Sequence, residues 1–298
     1  MDDVLDVLAC APTQWDLAPP ALWPRTPGGV IIARAPDGQL RCCAGYLPCG
    51  TCDRCRIGLH LACSSPLRPG HNHPGGMAPR VHLPPRFLAP LSPAPTEELA
   101  HIAALLAAGG PTYQAAVMTG MAPGDTVLVF GHPGPGALPL RLLTGLGLRA
   151  LYVCPGPAPQ HLPPEVTVVP AVPPTDDLPS PRCHLLDLAP SSSSLESWGP
   201  VAQGCLSCTL LGASPPPALR DCRAILGGQA VLRWVRDIHP HLVLDVVALG
   251  RRLNRGGFDT LGLGGMVAAL DALDRGTGAS WPVWVNSSAG VDSPLNPQ

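Results

Sequence analysis

The sequence predicts an α/β protein in which a β-rich N-terminal module with a metal-binding lobe precedes a buried parallel sheet. Short strand-like segments fill the chain before residue 49. The stretch CGTCDRCRIGLHLAC, residues 49–63, then supplies four closely spaced cysteines. From Asp125 onward, runs of strand length are apolar on both faces, which is typical of strands covered by two layers.

The four cysteines of the lobe stand at spacing C-x2-C-x2-C-x7-C. They are Cys49, Cys52, Cys55 and Cys63. This spacing lets four thiolates converge on one tetrahedral metal, and zinc is the expected ion. A site with four sulfurs has no water position, so it stabilises a loop and performs no chemistry. The alternatives are four thiols that share a loop, or two disulfides, but spacing of this density favours a metal.

Composition excludes several classes of function. The formal net charge is −2 and only 13% of the residues are charged, so no basic surface predicts nucleic-acid binding and no acidic tail is present. All 19 basic residues other than histidine are arginine. A lysine Schiff base and a lysine general base are therefore excluded.

The sequence also indicates a compartment. No run of about 18 apolar residues occurs, and the start MDDVLDVLAC lacks the layout of a signal peptide, so a soluble, cytoplasmic protein without membrane insertion is expected. Twelve cysteines fit a reducing compartment, because four are assigned to a metal and others fall in predicted strands. Cys205 and Cys208 would point to opposite faces of such a strand, which argues against a redox pair.

The first half of the chain is predicted to hold short strands and one amphipathic helix. The first strand is expected to end near Cys10, and two further strands lie in GGVIIARA and QLRCCAGYL. Thr96 is expected to be the N-cap of the helix ELAHIAALLAAG, with two glutamates in its first turn.

The second half is predicted to form the parallel sheet. Its strands are expected in DTVLVFG, ALYVC, EVTVV, CHLLDL, CLSCTLLG and AVLRWV. GALPLRLLTGLG is the expected helix after the first strand, whereas PGPAPQHLPP and PAVPPTDDLPSP contain too much proline for crossover helices. The segments HPHLVLDVVALGRRL and GMVAALDALDRG predict helices, and WPVWVN predicts a last strand.

Together, the cysteine lobe, the glycine-rich turn VFGHPGPGALP and the C-terminal segment resemble the zinc-containing alcohol dehydrogenases of the medium-chain dehydrogenase/reductase superfamily. The resemblance implies a truncated GroES-like β domain over residues 1–110 with a structural-zinc lobe at 49–63. It implies a reduced Rossmann-like, nucleotide-binding-type domain over 111–236. Residues 237–298 would return to the GroES-like domain. The first domain is expected to be truncated because Met1 lies almost at the strand that leads into the family's first catalytic ligand.

The resemblance also shows where the family's catalytic zinc ligands would fall. Thr13, Gly29 and Ala107 take the three ligand positions, and Trp15 takes that of a proton-relay hydroxyl, while Asp16 is retained. A hydroxyl, a hydrogen and a methyl group do not bind zinc at useful strength. No catalytic residue is therefore predicted.

The cofactor turn departs from the family in a similar way. Gly131 and Gly136 match the first and third glycines of the dinucleotide fingerprint, Pro133 takes the second position, and Gly134 comes close when the register shifts by one. Cys154 replaces the acid that would bind the ribose hydroxyls. These three glycines are the candidate cofactor-binding residues, and NAD(P) binding is expected to be weakened without being excluded.

Four histidines lie where they could act as ligands. His71 and His73 lie on a glycine-rich loop after the lobe and are interpreted as polar surface residues, because no third ligand can be named. His239 and His241 flank a proline at a predicted helix start and are interpreted as surface residues near a cap.

Three functions remain open. The favoured one is a non-catalytic structural or interaction subunit, since Pro133, Cys154 and the missing crossover helices all argue against a dinucleotide site. The second is a zinc-independent NAD(P)H oxidoreductase acting on quinones or enones. The third is a regulatory module that binds a ligand in the interdomain cleft. A homo-oligomer or a larger protein assembly is expected, because the lobe and sheet edges lie near subunit contacts in the resembled family.

Overall fold

A computed structural model of the protein describes residues 3–13, 16, 26–159, 161–174, 177–190, 201–202, 204–212, 231–253, 256–274 and 278–286. The chain divides into two units. The first unit comprises Met1–Ala108 with Asp237–Gln298, and the second comprises Gly109–Arg236. Within the described residues, no helix has both the length and the apolar character that a membrane span requires.

The strands follow one another along the chain as β1 (Asp3–Ala11), β2 (Val30–Arg34), β3 (Leu40–Ala44), β4 (Arg80–Leu83), β5 (Ala89–Leu91), β6 (Thr126–Phe130), β7 (Arg149–Val153), β8 (Thr167–Val169), β9 (Cys183–Asp187), β10 (Ser207–Leu211), β11 (Val231–Val235), β12 (Phe258–Leu261) and β13 (Trp281–Val285). The α-helices are α1 (Asp53–Arg56), α2 (Thr96–Ala104), α3 (Gly110–Thr119), α4 (Leu138–Gly145), α5 (Val243–Gly250) and α6 (Leu263–Asp274). A π-helical stretch, Leu105–Gly109, joins α2 to α3.

The first unit is built on one sheet with strand order β12-β13-β1-β2-β3-β5, and β4 pairs with β1. The pairs β1–β2, β2–β3 and β3–β5 are antiparallel, with Cys10 opposite Ile31. Cys10, Ile31, Cys43 and Trp284 belong to its apolar core. The three strands expected before the cysteine lobe are therefore confirmed.

The second unit is built on an all-parallel sheet with order β11-β10-β9-β6-β7-β8. This is a doubly wound order, in which the chain changes direction between β6 and β9. Every residue of β6, β9 and β10 is buried. Leu128 and Leu185 face one apolar cluster, whereas Val129 and Leu186 face the other. The expectation of strands covered on both faces is confirmed for β6, β9 and β10, whereas the edge strands β8 and β11 are partly exposed.

The first proline-rich connection, between β7 and β8, lacks a helix among its described residues. Helix α4 follows β6 and packs Leu140 and Leu143 against the sheet. Between β7 and β8, the described residues form turns and irregular chain without a helix. Proline in a helix interior removes a backbone hydrogen bond and clashes with the preceding turn, which accounts for this difference between the two crossovers.

The prediction that Thr96 is a helix N-cap is wrong. Helix α2 begins at Thr96, its N-cap is Pro95, and no side chain caps the helix. Pro95 has φ −58° and ψ 151°, so it lies in extended backbone immediately before the first turn. The preset φ of proline lets the chain enter the helix one residue earlier than the capping pattern indicates.

A buried polar network joins three strands of the second unit at their amino ends. Asp125, just before β6, accepts hydrogen bonds from Arg182 Nε at 2.8 Å and the Ala122 N–H at 2.9 Å. His184 Nε2 lies 3.2 Å from Asp125 Oδ2, and its Nδ1 lies 2.8 Å from Ser207 Oγ. Since a carboxylate only accepts, His184 carries its proton on Nε2 and Ser207 donates to Nδ1. Ligands of doubly wound sheets bind at the opposite, carboxyl ends, so this network has a structural role.

The network predicts an acid-dependent stability. Burial acts to raise the pKa of Asp125, but hydrogen bonds from Arg182, the Ala122 N–H and His184 hold that pKa below its ordinary value. The contribution of Asp125 is therefore complete above the ordinary pKa of aspartate and disappears as pH falls through the lowered folded value. Asp125→Asn should lower the free energy of unfolding by about 2–4 kcal/mol at pH 7, as measured by urea unfolding.

The difference in unfolding free energy between wild type and Asp125→Asn should become smaller as the pH is lowered. The wild-type carboxylate then becomes protonated and resembles the amide. Asp177→Asn, an exposed aspartate of the same unit, is the matched control and should change stability little at any pH. An equal effect of both substitutions at pH 7 would contradict the structural role of the network.

Candidate metal centre and nucleotide turn

The four lobe cysteines converge on one point in the first unit. Cys49 and Cys52 precede the short helix α1, which carries Cys55, and Cys63 follows a 3-10 turn over His60–Ala62. The sulfurs of Cys49 and Cys55 are 4.0 Å apart, and those of Cys52 and Cys63 are 3.9 Å apart. All four sulfurs lie within 4.8 Å of one another. Zn–S bonds of 2.3 Å in a tetrahedron separate sulfurs by about 3.8 Å, so the donor set fits zinc.

Hydrogen bonds prepare two of the sulfurs to be thiolates. Backbone N–H groups of Thr51 and Cys52 lower the pKa of Cys49. Backbone N–H groups of Ser64 and Cys55 lower the pKa of Cys52 to about 5. Burial instead raises the pKa of Cys55 to about 12. A bound cation would stabilise the thiolate form of Cys55.

The disulfide alternative is not found in the structure, where the described cysteines are free thiols. Two hydrogen bonds from residues outside the lobe hold its backbone. Tyr46 donates its hydroxyl hydrogen to the His60 carbonyl at 2.6 Å, and Arg86 Nη1 donates to the Cys49 carbonyl at 3.1 Å. Tyr46 also packs against Cys55 and Cys63. The contacts of Tyr46 and Arg86 therefore help to position the segment that carries the four sulfurs.

The positions of two catalytic ligands in the resembled family lie side by side. A Cβ built on Gly29 would stand 2.6 Å from Thr13 Cγ2, which leaves no room for a larger residue. Asp16 is buried and accepts hydrogen bonds from the Thr13 N–H at 2.6 Å, the Thr13 hydroxyl at 3.1 Å and the Gly28 N–H at 2.7 Å. The Asp16 carboxylate therefore forms its hydrogen bonds with residues of its own loop. Ala107 lies in the π-helical stretch, and Trp15 lies outside the described residues.

Potential metal-ligand groups are few in the part of the chain that the structure describes. One is the cysteine lobe, and the other is a trio of histidines, His60, His239 and His241. Thr13, Gly29 and Asp16 belong to neither group. The described residues around Thr13 therefore offer no set of three ligands.

The three candidate glycines of the nucleotide turn lie at the carboxyl end of β6. Gly131, Gly134 and Gly136 all have positive φ, at 79°, 73° and 69°. A Cβ on Gly131 would stand 2.7 Å from the Ala189 backbone nitrogen, so this position requires glycine. The turn therefore keeps the tight backbone path of a dinucleotide fingerprint.

The turn nevertheless offers few donors to a phosphate. Pro133 and Pro135 have no N–H. The Gly134 N–H donates to His132 Nδ1 at 3.0 Å, and the Ala137 N–H donates to the Gly134 carbonyl at 3.2 Å. A pyrophosphate is normally held by such N–H groups. The local hydrogen bonding thus competes with dinucleotide binding.

Two other side chains add to this effect. Asp187, the last residue of β9, is buried, and its Oδ1 stands 3.2 Å from a Cβ built on Gly131. The Asp187 carboxylate is a hydrogen-bond acceptor beside the glycine turn, whereas a bound phosphate requires hydrogen-bond donors there. The Cys154 sulfur lies 3.5 Å from the Gly156 carbonyl and 3.6 Å from the Pro157 carbonyl, so it faces its own loop. Sequence reasoning missed Asp187, although β9 lies beside β6 in every doubly wound sheet of this order.

The histidines are placed differently from one another. His71 and His73 belong to no metal-ligand group among the described residues, and His73 Nδ1 lies 3.0 Å from the Pro74 carbonyl. His239 and His241 do flank a 3-10 turn, Pro240–Leu242, at the start of α5. They also meet His60, which sequence reasoning missed because 179 positions separate His60 from His239.

The fold and these sites define a class of protein: an antiparallel β unit with a four-cysteine lobe, and a doubly wound parallel unit with a glycine turn. The chain has the fold of solved alcohol dehydrogenases, and about a third of its sequence is similar to an alcohol dehydrogenase. No protein-family profile matches it.

Individual relatives support this assignment. An alcohol dehydrogenase of Geobacillus stearothermophilus is 32% identical over 110 residues, which cover 36% of this chain and 31% of that protein. The matched segment thus spans about a third of that relative's length. The cobalt- and zinc-bound thermostable alcohol dehydrogenase of Pyrobaculum aerophilum superposes with a TM-score of 0.72 at 17% identity, covering 96% of this chain and 91% of that one. The alcohol dehydrogenase of Aeropyrum pernix gives 0.71 at 17% identity, with 96% and 92% coverage.

The contact between Thr13 and Gly29 predicts a glycine requirement. Gly29→Ala should lower the free energy of unfolding by about 1–3 kcal/mol, because the new methyl group overlaps Thr13. Urea unfolding measures the change. Gly262→Ala is the matched control in the same unit, since a Cβ there meets nothing within 4 Å. If both variants are equally stable, the close approach of Thr13 and Gly29 is wrong.

Proposed function

We propose that this chain is a zinc-binding, non-catalytic relative of the alcohol dehydrogenases that acts as a structural or interaction subunit. The observation that carries the proposal is the hydrogen bonding of the buried Asp16 carboxylate. Asp16 accepts three hydrogen bonds from Thr13 and Gly28, and Gly29 has no space for a ligand side chain. A catalytic zinc needs three protein ligands and an open position, and neither is supplied around Asp16 by the described residues.

The lobe would hold the one structural zinc through Cys49, Cys52, Cys55 and Cys63. Zinc bound there would neutralise the sulfur charges and contribute to folding, while four protein ligands leave no coordination position for a substrate. The separations of 3.9 and 4.0 Å between opposite sulfurs support this assignment. The same lobe is a rigid surface on which a partner or a second copy could bind.

The nucleotide turn supports the same proposal. Pro133 and Pro135 remove donors, and the Gly134 N–H is already used by His132. Gly131, Gly134 and Gly136 keep the path of the turn and are the residues that would approach a dinucleotide if one bound. Normal NAD(P) affinity is not expected from this arrangement.

A second candidate function, a zinc-independent NAD(P)H oxidoreductase, is favoured by one observation. The parallel sheet keeps the doubly wound order, and all three glycines of the turn keep positive φ. The relatives that match the chain carry the name alcohol dehydrogenase, so an enzyme is the ordinary expectation for this fold. The two candidates differ in whether they bind a nicotinamide dinucleotide.

Removal of a lobe thiolate should abolish the structural zinc. Cys55→Ser is expected to lower the zinc content by one ion per chain and the Tm by about 5–10 °C, because the zinc-binding free energy contributes to folding. Atomic emission gives the zinc content, and a thermal scan gives the Tm. Cys154→Ser, a cysteine outside the lobe, is the control and should keep the full content. Unchanged zinc in Cys55→Ser would refute the assignment.

Titration with NADH and NADPH separates the two candidate functions. We expect no saturable quenching of tryptophan emission below about 1 mM cofactor, which means binding weaker than about −4 kcal/mol. Pro133→Gly tests the cause, since it restores an N–H in the turn and should tighten binding.

Saturation in the micromolar range, about −8 kcal/mol, would instead support the reductase and call for an assay with quinones and enones. An NAD-dependent dehydrogenase of known affinity serves as the positive control. If neither cofactor binds, the oligomeric state measured by light scattering is the next property to establish.

A further inference from the structure

Three imidazoles from two distant segments meet in the first unit. His60 belongs to the lobe, whereas His239 and His241 flank Pro240 at the start of α5. The ring centroids are 5.1 Å apart for His60 and His239, 4.8 Å for His239 and His241, and 5.9 Å for His60 and His241. One nitrogen from each ring can be chosen so that all three lie within 4.8 Å of one another.

We propose that His60, His239 and His241 form a second metal site, separate from the cysteine lobe, that binds Zn²⁺. Three imidazoles without a thiolate suit borderline divalent ions such as zinc. The nitrogens His60 Nδ1 and His239 Nε2 are 3.1 Å apart. Two Zn–N bonds of 2.0–2.1 Å span that distance at an angle of about 100°, which is close to tetrahedral.

The ion takes the place of a shared proton. In the metal-free protein, His239 Nδ1 accepts the His241 N–H at 3.2 Å, so the ring proton lies on Nε2 and is donated to His60 Nδ1. When His239 Nε2 binds the ion, its proton moves to Nδ1 and the 3.2 Å contact with the His241 N–H is given up. His60 already has a free electron pair on Nδ1, so no proton is released from the pair. The cost is two N–H···N hydrogen bonds, the one of 3.1 Å between His239 and His60 and the one of 3.2 Å from the His241 N–H, and two Zn–N bonds form in their place.

The surrounding residues hold the trio in place. Arg68 Nη2 and Asp237 Oδ2 are 2.9 Å apart, with only 13% and 9% of the two side chains exposed. The Arg68 guanidinium lies 4.9 Å from the centre of the Tyr46 ring, and the Tyr46 hydroxyl donates to the His60 carbonyl at 2.6 Å. This chain of contacts connects the segment that begins at Asp237 with the backbone of His60. A ligand set supported in this way needs little rearrangement to bind an ion.

The site differs from the cysteine lobe in accessibility. His241 is exposed and His60 and His239 are half-buried, so the ion would face solvent on one side. Three protein ligands leave a fourth position for water or for a donor from another molecule. The two sites share no ligand, because no cysteine belongs to the second site.

The experiment is a Co²⁺ titration of metal-free, tag-free full-length protein, followed by absorption spectroscopy. Cobalt bound by thiolates gives a strong charge-transfer band in the near ultraviolet, whereas cobalt bound by imidazoles gives only visible d–d bands. We expect two equivalents in the wild type. His241→Gln and His60→Gln should weaken the imidazole site at least about tenfold and leave the thiolate band unchanged.

Two further variants make the outcome specific. His82→Gln removes an exposed histidine of β4 outside the trio, and should keep both equivalents. Cys55→Ser should lose the thiolate band and keep the imidazole bands, so failure of the lobe assignment and failure of this proposal are distinguishable. Zn²⁺ should displace cobalt from both sites, and the zinc content should then be two per chain.

A single equivalent in the wild type that Cys55→Ser abolishes would overturn the proposal. So would a second equivalent that survives both His241→Gln and His60→Gln. His241 is exposed, so its substitution is compatible with folding, and far-ultraviolet circular dichroism checks this directly.

Discussion

Four cysteine sulfurs within 4.8 Å of one another are the constraint on which the lobe of the first unit depends. Backbone N–H groups stabilise the thiolates of Cys49 and Cys52, whereas burial disfavours that of Cys55. A bound cation would offset the charge of four thiolates. The helix α1 and the turn at His60 are too short to be stable alone, so the lobe depends on tertiary contacts such as the hydrogen bond from the Tyr46 hydroxyl to the His60 carbonyl.

The loop that contains Asp16 shows how a buried carboxylate can serve as a structural element. The strands β1 and β2 bring Thr13 and Gly29 together, and the hydrogen bonds of Asp16 join the two ends of the loop between them. This arrangement is stable because every oxygen of the buried carboxylate has a donor. A buried and satisfied carboxylate makes a good structural element and a poor ligand. The fold alone therefore does not determine the chemistry.

In the glycine turn of the second unit, the backbone geometry and the capacity to bind an anion depend on different residues. The path of the backbone from β6 to α4 depends on positive φ at Gly131, Gly134 and Gly136. Anion binding depends on a different property, the supply of N–H groups, and Pro133 and Pro135 remove two of them. The backbone path of a turn and the number of its N–H donors can change independently of each other. The geometry of such a turn therefore does not by itself determine its affinity for phosphate.

Local patterns in the sequence determined the elements that depend on local physics. Alternation and apolar runs placed β1, β2, β6 and β9, and the density of proline accounted for the chain without helix between β7 and β8. The capping rule failed at Thr96, because Pro95 before it already had the backbone angles of the N-cap. The cysteine spacing indicated a common centre, since all four residues lie within one short stretch. Only the tertiary structure decided which distant residues meet. His60 and His239 are 179 positions apart, and Asp187 reaches Gly131 through the pairing of β9 with β6. Such contacts arise from sheet topology and packing, which no spacing within a single segment records.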